Sequence, residues 1–353
     1  MATKRERTVT TSIEEALNRY PRISLTRTPT PLQQLPHLSE RLGVNVSIKR
    51  DDLTDLTLGG DKPRKLEYEI AQAQAQGADI LVTCGSTQSN HARLTTAAAR
   101  KVGMQCAVVL SSHHHQELQG NLLTVYLMGA DVHIVDTEDH WDLEKYVLAL
   151  CDTLRAQGKR PHYIPISGTT PHSCLGYVRC GLEIADQVAE QGLHLDAIYA
   201  PFGTGGIFAS LLIALRERGI TCPLIGISVN QPRERCYERL KGWWTEVSRL
   251  LERDPERDQG TVEIYDEFVG RGYGDATEAC LDAIVLMAQT EGILMDPVYS
   301  GKVASGLLAH CAAGRWSPDQ HILQLHSGGA PALFAYHEEI KAHLIKRGIY
   351  PEQ

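Results

Sequence analysis

The chain has 353 residues, 42% of them hydrophobic, which is enough apolar material for one large core or two adjoining ones and argues against disorder. Its 43 acidic against 35 basic residues give a net charge of -8, and no Lys/Arg run is long enough to follow a phosphate backbone, so no nucleic-acid partner is expected. The nine cysteines are scattered without metal or redox spacing and read as reduced thiols, and no apolar stretch has the length of a membrane span; a soluble cytoplasmic protein is expected.

In chain order, the opening MATKRERTVTTSIEEALNRY lacks the apolar segment of a secretory signal and reads as an N-terminal extension over residues 1–20. LGGDKPRKLEYEI is the first unusual segment. Pro63 fixes its own φ, biases Lys62 toward an extended conformation and suits the first turn of a helix, so Lys62 is expected just outside that helix. Taken alone, a lysine is ordinarily a solvated charge.

ILVTC (80–84) is a continuous apolar strand, followed by a helix expected to begin near Gln88. The turn between them, GSTQSNHAR, offers the unpaired N–H groups and partial positive charge of a helix N-terminus, where a carboxylate can sit with Ser89 and Asn90 at the mouth. The same residues also suit a plain N-cap at Ser89. CAVVL (106–110) and DVHIVD (131–136) continue the rhythm. Between them SSHHHQE places its histidines at 113–115, without the i, i+4 spacing that converges imidazoles from one helix face, so no metal is assigned.

HYIPI, AIYAP, LIGISV and HILQLH resume the alternation, and apolar strands separated by helices predict parallel sheets covered on both faces. AIYAPFGTGGIFASLLIAL sets Gly203, Thr204, Gly205 and Gly206 at a strand-to-helix turn. Glycines there let N–H groups approach a phosphate, although a plain tight turn fits equally and neither GxGxxG nor a Walker loop is present. Residues 230–260 are charged and helical in pattern and are expected as a solvated surface helix and loop. HILQLHSGGAPALFAYHEEI repeats the strand-turn-helix plan with Ser327, Gly328 and Gly329.

Read in order, GGDKPRKLEY, QSNHAR, EGILMDPVYSGK and HSGGAPALFAYH resemble the family that contains D-cysteine desulfhydrase and 1-aminocyclopropane-1-carboxylate (ACC) deaminase. The likeness runs from about Pro31 to the helix after Ser327. It implies an α/β fold-type-II pyridoxal 5'-phosphate (PLP) enzyme of the tryptophan-synthase-β type, with two open αβα domains, mainly parallel sheets and the cofactor in the interdomain cleft. The small domain is expected over 67–166 and the large one over 1–66 and 167–353, in a homodimer. By the same resemblance Lys62 carries the cofactor covalently, and Lys65 with the turn Thr204–Gly206 holds its phosphate. Asn90 would meet the phenolic oxygen, while Ser89 and the N–H groups of Asn90 and His91 receive the substrate carboxylate; Tyr273, Tyr299 and Ser300 reach the substrate side. An amine nucleophile that, once freed, removes the Cα proton suits Lys62, with PLP as the electron sink.

The chain departs from the family pattern in four places. Asp61 stands where the family has asparagine, Ile207 replaces a usual threonine, YGDATE (273–278) replaces a YGxPNE-like stretch, and the loop around SSHHHQELQ looks shortened. ACC deaminase has glutamate after the tyrosine of DPVY and leucine before GGAPAL; here Ser300 and Ser327 stand instead, as in desulfhydrase. A serine at the pyridine nitrogen hydrogen-bonds without protonating it, which gives a shallower electron sink than a carboxylate. The expected reaction is α,β-elimination from a β-substituted alanine, D-cysteine first, giving pyruvate, ammonia and sulfide. ACC deamination, sulfite elimination from cysteate, a β-replacement, or a PLP-binding regulatory or carrier role without turnover are the alternatives.

Overall fold

The computed structural model describes residues 12–112, 117–137 and 142–352. The chain opens with α1 (Ile13–Asn18), β1 (Leu32–Gln34), α2 (Pro36–Leu42), β2 (Asn45–Arg50) and α3 (Lys62–Ala75). Then come β3 (Ile80–Ser86), α4 (Asn90–Lys101), β4 (Gln105–Ser111), α5 (Gly120–Leu127), β5 (Asp131–Val135), α6 (Leu143–Ala156) and β6 (Pro161–Tyr163). The next stretch holds α7 (Pro171–Glu190), β7 (Ala197–Phe202), α8 (Gly206–Glu217), β8 (Leu224–Ser228), α9 (Arg233–Leu250) and β9 (Val262–Tyr265). It ends with α10 (Glu278–Glu291), α11 (Ser300–Ala312), β10 (His321–His326), α12 (Ala330–Ala335) and α13 (His337–Lys346).

Two sheets result. One has the order β5-β4-β3-β6 and is parallel throughout; the other runs β1-β2-β10-β7-β8-β9 and is parallel except for the β1-β2 pair at its edge. The first is built wholly within residues 80–163, inserted into the sequence of the second. β7 and β8 are buried at every residue, as expected of strands covered by helices on both faces.

One local expectation needs correction. α9 is not a solvated helix: Cys236, Leu240, Trp244 and Val247 recur at helical spacing and join the core beneath the larger sheet, leaving the charges on the opposite face. The described end of the N-terminal extension is also a core element, because α1 carries a Ser12/Glu15 capping box and buries Ile13, Ala16 and Leu17. The histidines at 113–115 lie outside the described residues. Among the described residues, no helix is long and apolar enough to cross a membrane.

A buried ionic cluster ties α3 to the larger sheet. The Arg64 guanidinium donates to both oxygens of Asp51 at 2.8 and 2.9 Å and to Glu183 at 3.0 Å, while Lys49 Nζ donates to Glu183 at 2.5 Å. The Tyr177 hydroxyl donates to Asp51 Oδ2 at 2.8 Å. Burial, the largest single influence, would raise the Asp51 carboxyl, but the charge and hydrogen bonds of Arg64 together with Lys49 and Thr30 hold the group below its ordinary range. Gly176 permits the contact: a Cβ there would fall 2.1 Å from the Arg64 carbonyl oxygen. α3 is thereby fixed from its first turn, which begins with Lys62.

Candidate active site

A cleft opens where the C-terminal ends of β3, β7 and β8 face the start of α3, the place where open parallel sheets usually receive ligands. Lys62, Ser89, Asn90, His91, Gly203, Thr204, Tyr273 and Tyr299 all line it. Lys62 is the first residue of α3 rather than a residue outside it; Asp61 before it is already helical (φ -71°, ψ -28°), and Pro63 falls where no N–H partner is needed. The Lys62 amine donates to Asp61 Oδ2 at 2.5 Å and lies 5.9 Å from the Tyr299 ring centre.

On the β3 side α4 begins at Asn90, two residues later than expected, because Ser89 caps it: Ser89 Oγ accepts from the Ala92 N–H at 3.2 Å. The cap leans back over the strand end, where a Cβ on Gly85 would come within 2.5 Å of Ser89 Oγ. Ser89 therefore is an N-cap and also faces the cleft. Asn90 Oδ1 accepts from Asn121 Nδ2 at 2.9 Å, which fixes the amide. The His91 ring is buried, 2.8 Å from Thr83 Oγ1; burial first, then the Lys62 and Lys65 charges, push its pKa well below the usual histidine range and keep it neutral.

Opposite lies the turn from β7 into α8. Gly205 has φ +91°, which favours glycine, and a Cβ on Gly206 would strike Thr169 Cγ2 at 2.4 Å. The first amides of α8 have no intrahelical acceptor and face this turn. Lys65 stands behind it: its buried Nζ donates to Thr169 Oγ1 at 2.7 Å, and Thr169 Oγ1 is 2.8 Å from Thr204 Oγ1. Burial, then the Lys62 charge, lowers Lys65 to about 8. Lys65 Nζ also donates to the carbonyl of Ser167, a residue at φ +66° on the cleft wall. Trp243 of α9 donates to the Thr204 carbonyl at 2.9 Å, so the helix expected to be solvated braces the turn.

On the third side the Tyr273 and Tyr299 hydroxyls are 2.6 Å apart. Burial raises both, Tyr273 to about 12, so both keep their protons at neutral pH. Tyr299 is aimed by Asp296, whose buried carboxylate accepts the N–H groups of Val298, Tyr299 and Ser300 at 2.8 to 2.9 Å. Ser300, expected at the substrate, is not brought into the cleft: it starts α11, is fully buried, and its Oγ lies 3.0 Å from both His326 Nδ1 and the Gly328 carbonyl oxygen. Ser327 follows β10; its carbonyl accepts from the Asp61 N–H at 2.9 Å, and its hydroxyl has no hydrogen-bond partner among the described residues.

Four residues were missed in the sequence. Thr169 and Trp243 act at a distance along the chain that no local pattern reveals. Asp296, three residues before Tyr299 at a helix start, carried a capping signal that could have been read. Asn230 lines the cleft beside Val229, its buried Oδ1 without a hydrogen-bond partner among the described residues.

A lysine amine facing the cleft, a glycine turn at a helix N-terminus and a second N-terminus across from it, on two mainly parallel sheets, define a fold-type-II pyridoxal-phosphate enzyme. The turn at Gly203–Gly206, where Gly205 and Gly206 leave no room for a Cβ, and the cation of Lys65 behind it fit a phosphate, while Lys62 supplies the amine that an aldehyde requires. Residues 23–328 match the family described as "Pyridoxal-phosphate dependent enzyme", and the chain belongs to that family.

The D-cysteine desulfhydrase of Serratia proteamaculans (strain 568) is 36% identical over 335 residues, spanning 93% of this chain and 100% of the relative. That of Salmonella paratyphi C (strain RKS4594) is 37% identical over 329 residues, 92% and 98% of the two chains. A solved ACC deaminase homologue superposes with TM-score 0.85 at 34% identity, covering 94% of this chain and 99% of that one. The L-serine ammonia-lyase of Rhizomucor miehei, at 20% identity and TM-score 0.68, shares the fold. The protein is a PLP-dependent lyase of the D-cysteine desulfhydrase and ACC deaminase type.

Proposed function

We propose that the chain catalyses α,β-elimination from D-cysteine, giving pyruvate, ammonia and sulfide. The observation that carries this reading is the position of Lys62 Nζ between two helix N-termini, one suited to a carboxylate and the other to a phosphate. PLP, when bound, supplies the electron sink for a carbanion at Cα. Gly203, Thr204, Gly205 and Gly206 with Lys65 would hold its phosphate, Asn90 would face its phenolic oxygen, and the Ser327 hydroxyl would serve its pyridine nitrogen. Ser89 Oγ and the N–H groups of Asn90 and His91 orient the substrate carboxylate at the start of α4. Lys62 takes the Cα proton.

The Tyr273 and Tyr299 hydroxyls, protonated at neutral pH, face the substrate side and donate to the departing sulfur. Elimination is favoured over cyclopropane opening because residues 300 and 327 are serines. Ser300 serves this indirectly, as a buried hydroxyl on His326 where a glutamate would carry charge. The names of the curated relatives agree with this choice. We further assign the protein to the cytoplasm as a homodimer. The test supplies D-cysteine, L-cysteine, cysteate and ACC to the PLP-loaded enzyme. Pyruvate and sulfide in equal amounts, fastest from D-cysteine, are expected; 2-oxobutyrate from ACC with no product from either cysteine would replace this reading by ring opening, and no turnover at all by a binding role.

A further inference from the structure

Asp61 sits at the N-cap position of α3, where an aspartate ordinarily accepts hydrogen bonds from the first helical amides. It makes no such bond. Its carboxylate instead lies 2.5 Å from Lys62 Nζ, and both residues are buried, Lys62 on the wall of the cleft. Lys62 is the hydrogen-bond donor to that carboxylate among the described residues. The other ionisable groups that feel it are Lys65 on α3, Arg93 on α4, Tyr177 on α7, and Tyr273 and Tyr299 across the cleft. Arg93 is committed elsewhere, to Asn121 Oδ1 and to the carbonyls of Thr57 and Gly59. His91 of α4 faces Lys62 and is neutral.

We propose that Asp61 is a positioning residue for catalysis, the counter-charge that holds Lys62 Nζ in place as an ammonium once it has taken the substrate proton. The inference rests on Lys62 being the catalytic lysine. In the step concerned the Cα–H bond breaks and its proton passes to the neutral Lys62 amine. The electron pair forms the Cα–Cβ double bond while the β-substituent leaves with its own bonding pair. A cation is thus created 2.5 Å from a buried anion, the arrangement that stabilises it most. An asparagine at this position, the residue of the family pattern, can accept a hydrogen bond from the ammonium without neutralising it.

The test compares wild type, D61N and D61E. Asparagine keeps the shape and the backbone N–H bond to the Ser327 carbonyl. In the cofactor-free protein, trace acetylation followed by peptide mapping reads how readily Lys62 Nζ acts as a nucleophile at neutral pH. D61N is expected to label about tenfold faster than wild type, since the ammonium has lost its partner, and D61E to stay near the wild-type rate. In the loaded enzyme D61N should lose about tenfold in kcat with KM within about twofold, and Cα-deuterated substrate should slow it more than it slows wild type. Equal labelling in wild type and D61N would overturn the proposal, as would fast labelling in both variants, which would mark disturbed packing. The labelling result does not depend on the substrate's identity, so it separates failure of this inference from failure of the proposed reaction.

Discussion

Replacing Gly206 by alanine probes whether the glycine turn is a phosphate cradle or only a tight turn. The added Cβ would lie 2.4 Å from Thr169 Cγ2 and 3.0 Å from Cys174 Sγ, against about 3.5 to 4.0 Å for an ordinary carbon contact. Thr169 must therefore retreat by about 1 Å. That displacement breaks the chain from Lys65 Nζ through Thr169 Oγ1 to Thr204, whose links are 2.7 and 2.8 Å. Overpacking costs about 1 to 3 kcal/mol, and a hydrogen bond from a charged donor contributes about 1.5 to 3 kcal/mol, partly offset by the better helix propensity of alanine. A net loss of about 2 kcal/mol is expected in denaturant unfolding of the cofactor-free protein. PLP affinity, measured by fluorescence titration, should fall about tenfold or more. Gly203→Ala provides the contrast, since its Cβ would meet nothing closer than Val229 Cγ2 at 3.8 Å and stability should stay near wild type. A G206A protein with the expected loss of stability but wild-type PLP affinity would refute the cradle and leave a packing turn.

Ser89→Ala removes both the cap of α4 and the hydroxyl facing the cleft; stability should fall by about 1 kcal/mol, while kcat/KM should fall far more, and normal kinetics would restrict Ser89 to capping. Arg64→Met leaves the buried Asp51 carboxylate without its guanidinium and Glu183 with Lys49 as its remaining cation, and urea unfolding should show a loss of about 3 to 5 kcal/mol. Lys65 is lowered from 10.5 to about 8, chiefly by burial, so between those values the unfolded chain binds more protons than the folded one. Stability of the cofactor-free protein relative to Lys65→Met should accordingly rise with pH across about 8 to 10.5, by as much as about 3 kcal/mol, and a flat difference would contradict the buried lysine.

Strands β3, β4, β7 and β8 were legible because each is a mostly continuous apolar run, and the glycine turn because its residues are consecutive. β1, β2 and β9 were not singled out: at the edge and flank of the larger sheet they carry polar residues such as Gln33, Lys49 and Glu263. α9 was misread since its four core residues are diluted among arginines and glutamates, although their spacing of four, four and three positions marks a buried stripe. Resemblance placed Lys62 and the two tyrosines at the cleft, but it could not tell that the Ser300 side chain turns inward to His326, because that depends on where α11 begins. Nor could spacing show that Asp61 would leave its cap and pair with Lys62, which only the folded geometry reveals.

The account stands on one covalent bond. Borohydride reduction of the PLP-loaded enzyme, followed by proteolysis and mass spectrometry, should place the pyridoxyl group on Lys62, and Lys62→Ala should remain folded without carrying it. A pyridoxyl group on Lys65, Lys302 or any other lysine would contradict the assignment of this cleft as the site of catalysis.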